Sequence, residues 1–451
     1  MNTQTELARL GLFDAKVPRY TSYPTAPHFS RAVGKQDFTD WIAAIPEGSE
    51  VSLYVHVPFC RRLCWFCACR TQGTQTDAPV IAYLETLKAE IAMLGRLLPA
   101  GVRLSRLHWG GGTPTLLSPS MMTDLAGAIR EIAPFTDATE FSVEIDPGEI
   151  DGPRLDALAA AGMNRASIGV QDFDEEIQKT IGRLQSYDIT RDATQEIRAR
   201  GVASLNADIL YGLPHQTRAR MTESVQKLLS LNPDRVALYG YAHVPWMAKR
   251  QQMIPSDALP TPQERLALFD TARRLFLWDG YTEIGIDHFA TKDDGLSVAR
   301  HAGRLRRNFQ GYTDDTAEVL IGLGASSISR FPQGYAQNAP ATGAHTAAIR
   351  EGRFSTARGH VFTPEDRIRG RMIEALMCDF RIDTAEIMRD FGITAEALHA
   401  ILSDTARAFE GHLDLDENGL FIPPEARPLT RMIARQIDAY EMDEQGHSSA
   451  I

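Results

Sequence analysis

With 451 residues, 43% of them hydrophobic and 23% charged, the chain has an ordinary globular composition and enough length for two or three domains. Its 58 acidic side chains outnumber the 47 basic ones, for a formal net charge of -11, which argues against a nucleic acid backbone or an anionic membrane surface as the main partner. A small anionic ligand remains open, because a few arginines suffice to hold one.

The amino terminus, MNTQTELARLGLF, shows neither an apolar core region nor a small-residue cleavage pattern, so no secretory signal is expected. No apolar stretch approaches the length that spans a bilayer. Residues 1–50 read as an amino-terminal extension. From residue 51 to 330, short apolar runs alternate with helix-patterned segments, the mark of repeated βα units. Six strands are expected, starting at Val51, Val102, Glu140, Arg165, Ser204 and Arg235, and a seventh run from Tyr281 extends or caps their sheet. Helices are expected from Ala78 and near Ser118, Asp151, Tyr187 and Thr217. The run from Thr261 opens with Thr, then Pro, then a Glu three residues on from the Thr, a helix start. Polar residues gather at the carboxyl ends of several strands rather than in one crevice. The fold class is therefore read as α/β, a partial TIM-type (β/α)6 barrel of parallel strands rather than a doubly wound sheet. Residues 331–363, rich in Gly, Ala, Gln and Pro, read as a linker or covering segment. Residues 364–451 read as a mainly helical domain, with amphipathic helices first and then a hairpin followed by a helix.

Chemistry concentrates in CRRLCWFCACR, residues 60–70, which holds four of the five cysteines. An odd count and such close spacing argue against a disulfide framework. The reducing cytoplasm is the expected setting, where clustered thiols more often hold metal. Cys60-x3-Cys64-x2-Cys67 lies on the loop leaving the first strand, the end at which βα folds keep their active sites. A loop of this length can wrap three thiolates around a cubane iron-sulfur cluster and leave the fourth iron open. On spacing alone the rival is a zinc site of Cys60, Cys64, Cys67 and Cys69, although two cysteines so close strain a tetrahedral chelate. Cys378, far along in an expected helix, reads as a buried structural thiol.

The three-cysteine loop resembles the signature of the radical S-adenosylmethionine (SAM) superfamily, in which SAM chelates the fourth iron. The likeness extends through PRYTSYPTAPHF, LHWGGGTPTLL, VEIDP, IGVQDF, NADILYGLP, YAHVPW, IGIDHFA, RNFQGYT and GASSIS. Together these segments resemble the oxygen-independent coproporphyrinogen III oxidases over nearly the whole chain. That resemblance implies oxidative decarboxylation of two propionates of coproporphyrinogen III to vinyl groups, giving protoporphyrinogen IX, by 5'-deoxyadenosyl radicals from SAM.

It also implies a site. Cys60, Cys64 and Cys67 would bind one 4Fe-4S cluster, with Cys69 outside the ligand set. Tyr54, Phe66, Gly111 and Glu144 would hold a first SAM. Gly112, Thr113, Gln171, Arg183, Asp208, Ala242 and Ile328 would hold a second. Arg19, Tyr20, Tyr23, Asn308 and Tyr312 are candidates for contact with the substrate, whose four carboxylates call for arginine and backbone donors. The implied partners are coproporphyrinogen III, an electron donor and a terminal electron acceptor, with the enzyme a monomer free of nucleic acid and membrane. Three rivals stand beside this reading: a haem-chaperone relative, a haem-degrading radical SAM enzyme and a zinc-binding structural scaffold. The chaperone relative typically lacks the cysteine two past the loop, the PRYTSYP lead and the NFQGY stretch, all present here.

Overall fold

The computed structural model describes residues 3–441, 449 and 450. Six of the apolar runs become parallel strands: β1 (Glu50–Val57), β2 (Arg103–Gly111), β3 (Phe135–Ile145), β4 (Arg165–Gln171), β5 (Ser204–Tyr211) and β6 (Arg235–Gly240). Each pairs in parallel with the next. The seventh run extends the sheet as an antiparallel hairpin, β7 (Thr282–Ile284) and β8 (His288–Ala290), with β8 antiparallel to β6. On the other flank of β1 lies the parallel strand β9 (Leu320–Leu323), followed by antiparallel β10 (Ile328–Phe331), β11 (Gly334–Asn338) and β12 (Thr356–Val361). The twelve strands run in the order β12-β11-β10-β9-β1-β2-β3-β4-β5-β6-β8-β7, so the curved sheet stays open.

Residues 331–363 therefore differ from the linker that composition suggested: they supply two strands and the helix Thr342–Arg350 to the edge of the main sheet. Two glycines that made the segment look loose serve close strand contact. A Cβ on Gly334 would run into the carbonyl of His360, and one on Gly359 into that of Tyr335.

The crossovers are α1 (Ala78–Gly95), α2 (Pro119–Ile132), α3 (Gly152–Ala160), α4 (Tyr187–Ala199), α5 (Arg218–Leu229) and α6 (Pro262–Trp278). Ser118, Asp151, Ser186, Thr217 and Thr261 each cap one of the last five by accepting a backbone N–H. At Thr261 the Glu264 carboxylate accepts the Thr261 N–H in return. Alternation along the strands sorts the faces. Leu53, Val55, Leu107, Trp109, Phe141 and Val143 are buried in the sheet's apolar core, and Trp109 meets Phe141 edge to face at 5.0 Å. Tyr54, His56, His108 and Glu144 alternate with them on the inner face, which is polar.

Charge closes the barrel at the amino ends of its strands. Arg106 pairs with Asp314 at 2.8 Å, Arg165 with Glu140 at 3.2 Å, and Arg235 with Asp294 at 2.6 Å. The last pair is buried on both sides.

Beyond the sheet come α7 (Pro364–Asp379), α8 (Thr384–Phe391), α9 (Ala395–Ala408) and α10 (Thr430–Ile437). They pack with a three-stranded antiparallel sheet of Arg381–Asp383, Asp414–Asp416 and Gly419–Phe421. Their core also takes in Leu12, Phe13, Tyr20 and Tyr23 from the amino-terminal extension. Cys378 is fully buried beside Ile284, Leu296 and Tyr312. Among the described residues no helix is long and apolar enough to cross a membrane.

Candidate functional site

The loop leaving β1 is held from three sides, and each clamp rests on a backbone contact that few other residues would allow. From β2, the Gly112 N–H donates to the Val57 carbonyl at 2.8 Å and the Thr113 N–H to the Phe59 carbonyl at 2.8 Å. A Cβ on Gly112 would stand 2.5 Å from the Phe59 carbonyl oxygen, and one on Gly111, at φ 114°, 2.6 Å from the His56 ring. From the loop after β4, Ile181 accepts the Trp65 N–H at 2.9 Å, and the Trp65 ring covers Gly182. From the loop after β6, Gln251 donates to the Phe66 carbonyl at 2.7 Å, while Arg250 donates to Thr71 through two bonds of 3.1 Å.

Within this frame Cys64 is buried, Cys60 and Cys67 are half-buried, Cys69 is exposed, and none is in a disulfide. The Cys69 N–H lies 3.4 Å from Cys67 Sγ. The Cys69 thiol also hydrogen-bonds to Cys67 Sγ, and these bonds outweigh burial and lower the Cys67 thiol, while the thiol bond holds the Cys69 proton and pushes that thiol well up. Burial raises Cys60 to about 11 against the hydrogen bond of Thr113. Arg183 reaches Cys64 Sγ at 3.6 Å, pairs with Asp146 at 3.2 Å, and donates to the Gly169 carbonyl at 2.9 Å; its buried Nε has no hydrogen-bond partner among the described residues. Three thiols, one already acidic, beside a buried guanidinium suit an anionic iron-sulfur cluster. Among the described residues no three His, Cys, Asp or Glu side chains crowd one point as a single-ion zinc site requires.

Polar groups line the rim beside the loop. The Tyr54 hydroxyl is 3.0 Å from His56 Nδ1, and its ring stacks on His108 at 5.6 Å. Glu144 accepts the Gly111 N–H at 3.0 Å and lies 3.3 Å from His108 Nε2. Burial pushes this carboxyl up, but His108 and the Gly111 N–H prevail and hold it below the usual carboxylate range. Asp208 behaves oppositely: burial raises it to about 7 despite the 2.8 Å bond from Asn206. Gln171 ends β4 in a left-handed conformation, φ 69°, where the register with β5 shifts. Backbone strain is thus held at the carboxyl end of β4.

The Ala242 carbonyl shares the Gln251 amide with Phe66, at 3.0 Å, so Gln251 bridges it to the cysteine loop. Ile328 stands on the opposite flank, opening β10 next to β9, whose Gly322 is in register with Tyr54. Three substrate-contact candidates are engaged inside the protein. The Tyr20 hydroxyl donates to Asp438 at 3.0 Å, Tyr23 accepts the Ala439 N–H at 3.0 Å, and Tyr312 donates to the Met377 carbonyl at 2.8 Å. Asn308 accepts the Gln310 N–H within its own hairpin turn at 2.9 Å.

Gln251 is the residue that sequence reasoning missed most completely. Wholly buried, it accepts the Val244 N–H at 2.6 Å besides donating to Phe66 and Ala242. Nothing in AKRQQM, an irregular polar run, announces that role. Asp146 and His108 fall within VEIDP and LHWGGGTPTLL, yet nothing in either motif sets them apart from their neighbours.

Comparison with known proteins agrees with this arrangement. The family model of the radical SAM superfamily matches residues 54–228. An oxygen-independent coproporphyrinogen III oxidase of Paracoccus denitrificans is 69% identical over 100% of both chains, and one of Cereibacter sphaeroides is 60% identical over 98% of each. The solved coproporphyrinogen III oxidase of Escherichia coli, described as a radical SAM enzyme, superposes with a TM-score of 0.89 at 37% identity, covering 95% of this chain and 100% of that one. With likeness of this degree running end to end, the chain belongs to the oxygen-independent coproporphyrinogen III oxidases of the radical SAM superfamily.

Proposed function

We propose that the chain catalyses the oxidative decarboxylation of two propionates of coproporphyrinogen III to vinyl groups, with one 4Fe-4S cluster on Cys60, Cys64 and Cys67 and two molecules of SAM beside it. The observation that carries this reading is the single rim on which the clamped cysteine loop, Gly111, Glu144, Arg183 and Asp208 come together. A cluster held by Cys60, Cys64 and Cys67, with SAM beside it, would supply the radical chemistry that removes a hydrogen atom from a propionate β-carbon, the substrate then losing carbon dioxide and one electron to an acceptor.

The chain's own residues orient and shield. Glu144, ionised and anchored by the Gly111 N–H, accepts hydrogen bonds from ribose hydroxyls. The glycines of β2 let backbone approach the ligand, and Phe66 and Tyr54 present aromatic faces. Asp208, with its carboxyl raised to about 7, tolerates a second ligand without adding a full negative charge beside Glu144. Arg183 offers its unpartnered Nε to a carboxylate of the second SAM. Five unpaired cysteines suit a reducing cytoplasm, and a monomer, an electron donor for the cluster and an electron acceptor complete the proposal.

The test is anaerobic reconstitution, followed by incubation with coproporphyrinogen III, SAM and a reductant, with carbon dioxide and vinyl products followed by mass. Brown iron-sulfur absorption that dithionite bleaches, together with turnover, is expected. Stoichiometric zinc without iron overturns the reading, and haem binding without turnover favours the chaperone relative.

A further inference from the structure

A cavity of about 360 Å³ opens beside Ala242 and runs between the ends of β5 and β6 and the helical domain. Its lining joins Ala242 to Arg19, Arg265, Asp287, Arg307 and Arg431. This wall is far more basic than a chain of net charge -11 leads one to expect.

The arginines are fixed, and mostly through backbone. Arg19 donates to the Gly240 carbonyl at 2.7 Å, and Arg265 to that of Tyr241 at 2.8 Å. Arg431 donates to the carbonyls of Val17 at 2.6 Å, Pro18 at 3.0 Å, Ser449 at 3.1 Å and Ala450 at 3.0 Å, which ties both ends of the described chain to the cavity wall. Burial and the charges of Arg19 and then Arg307 press the Arg431 guanidinium below its usual range, so these cations repel one another. Arg307 is the sharpest case. Its side chain is 6% exposed, its Nε and one Nη have no hydrogen-bond partner, and the nearest carboxylate, Asp287, stands 4.0 Å away. A buried guanidinium such as Arg307, with two nitrogens lacking hydrogen bonds, is costly unless an anion arrives.

Of the three acids that line the cavity, Glu283 is paired with Arg273 and Arg427, whereas Asp287 lies nearest Arg307. His288 Nδ1 lies 2.7 Å from its Oδ1, and no described residue bonds to its Oδ2. An acceptor surrounded by guanidinium groups is the complement of a particular kind of molecule, with N–H donors at its centre and carboxylates at its rim. A porphyrinogen has that form: each of its four pyrroles carries an N–H turned inward, and its propionates radiate outward.

We propose that this cavity is the macrocycle site, in which Arg307, Arg431, Arg265 and Arg19 hold carboxylates and Asp287 receives pyrrole N–H groups. The assignment rests on the proposed function and explains why the helical domain packs where it does, since α10, through Arg431, completes the wall facing Ala242. Product keeps two of the four carboxylates, so part of this grip persists after turnover.

The experiment uses the reconstituted holoenzyme and coproporphyrin III, the oxidised tetra-acid, as a fluorescent probe that the radical chemistry does not consume. Wild type is expected to bind the acid at least about tenfold more tightly than its tetramethyl ester, as charge-assisted bonds to buried arginine require. Arg307→Gln is expected to weaken acid binding about tenfold, with Arg307→Lys between the two. Arg307 is chosen over Arg431 because Arg431 also ties the two chain ends together. The melting temperature of Arg307→Gln should not fall, because the substitution removes a buried cation whose Nε and one Nη lack hydrogen bonds. Asp287→Asn should weaken the probe less than Arg307→Gln does. Equal affinity for acid and ester, or an Arg307→Gln variant with wild-type affinity, overturns the site. If wild type converts coproporphyrinogen III while those outcomes hold, only the site falls. If wild type binds the acid through Arg307 but neither cleaves SAM nor makes vinyl products, the function falls and the site stands.

Discussion

Both ends of the barrel are lined with charge, and they differ in how that charge is matched. At the amino ends of the strands each guanidinium has its own carboxylate: Arg106 with Asp314, Arg165 with Glu140, Arg235 with Asp294. At the carboxyl ends the cations outrun the acids, and Arg19 and Arg431 are held by carbonyl oxygens. Matched charge closes a structure, whereas unmatched charge held rigidly awaits a ligand. The contrast follows the general division of βα barrels into a stabilising and a reactive face.

The largest effect expected belongs to the reactive end. Cys64→Ser should lose its iron and all SAM cleavage while keeping its circular dichroism, whereas Cys69→Ser should keep iron, read by metal analysis and visible absorption. Equal loss in both would place Cys69 among the ligands and undo the three-thiol reading. At the closed end, Asp294→Ala leaves the buried Arg235 charge alone and should cost about 3–5 kcal/mol in urea denaturation, with SAM cleavage by the folded fraction unaltered. A fall in chemistry without a fall in stability would erase the distinction between the ends.

Gln251→Ala comes next. It strands the Val244 N–H and two carbonyls, for a loss of about 1–3 kcal/mol. Because it frees the cysteine loop from the loop after β6, SAM cleavage should fall several-fold at temperatures where the fold is intact.

The smallest effect sharpens the comparison with a third arrangement, a buried acid matched by no cation. Glu90 on α1 accepts the Gly324 N–H at 2.8 Å and the Asn338 amide at 2.9 Å, and lies 3.5 Å from His345. Burial raises its carboxyl from 4.5 to about 8 and lowers His345 to about 4, so both are neutral at pH 7. Between pH 4.5 and 8 the folded chain keeps a proton that the unfolded chain releases. The stability contributed by the neutral acid is thus whole below pH 4.5 and is lost as pH climbs through about 8. Above pH 6.5, where His345 is neutral in the folded and unfolded chain alike, urea midpoints measured up to pH 8 should decline in wild type and less steeply in Glu90→Gln; parallel declines would mean that another group titrates.

Local rules made most of the barrel legible. Apolar runs marked six of the seven parallel strands, missing β9; helical patterning announced the helices near Ser118, Asp151, Tyr187 and Thr217, and the start at Thr261 was legible from its capping chemistry. The segment from 331 to 363 was illegible for a physical reason. Gly334 and Gly359 are glycine because strands press there, and sequence does not distinguish that demand from looseness. In the site, the cysteine spacing and the GGGTP and VEIDP motifs carried the loop, Gly111 and Glu144. Gln251 and Arg307 escaped, since the role of the one depends on a partner 185 residues away and that of the other on a buried guanidinium with nitrogens left without hydrogen bonds.

The open sheet has two edges, and each is covered by a segment outside the seven parallel strands. Ser30 of the amino-terminal extension exchanges backbone hydrogen bonds of 2.8 and 2.9 Å with Gly359 on β12. On β7, Glu283 is gripped by Arg273 and, from the helical domain, by Arg427, both at 2.5 Å. An unpaired sheet edge is a template for another chain's edge. Trimming the residues before Gly34 would bare β12, and the shortened chain would then aggregate edge to edge while its barrel remained folded.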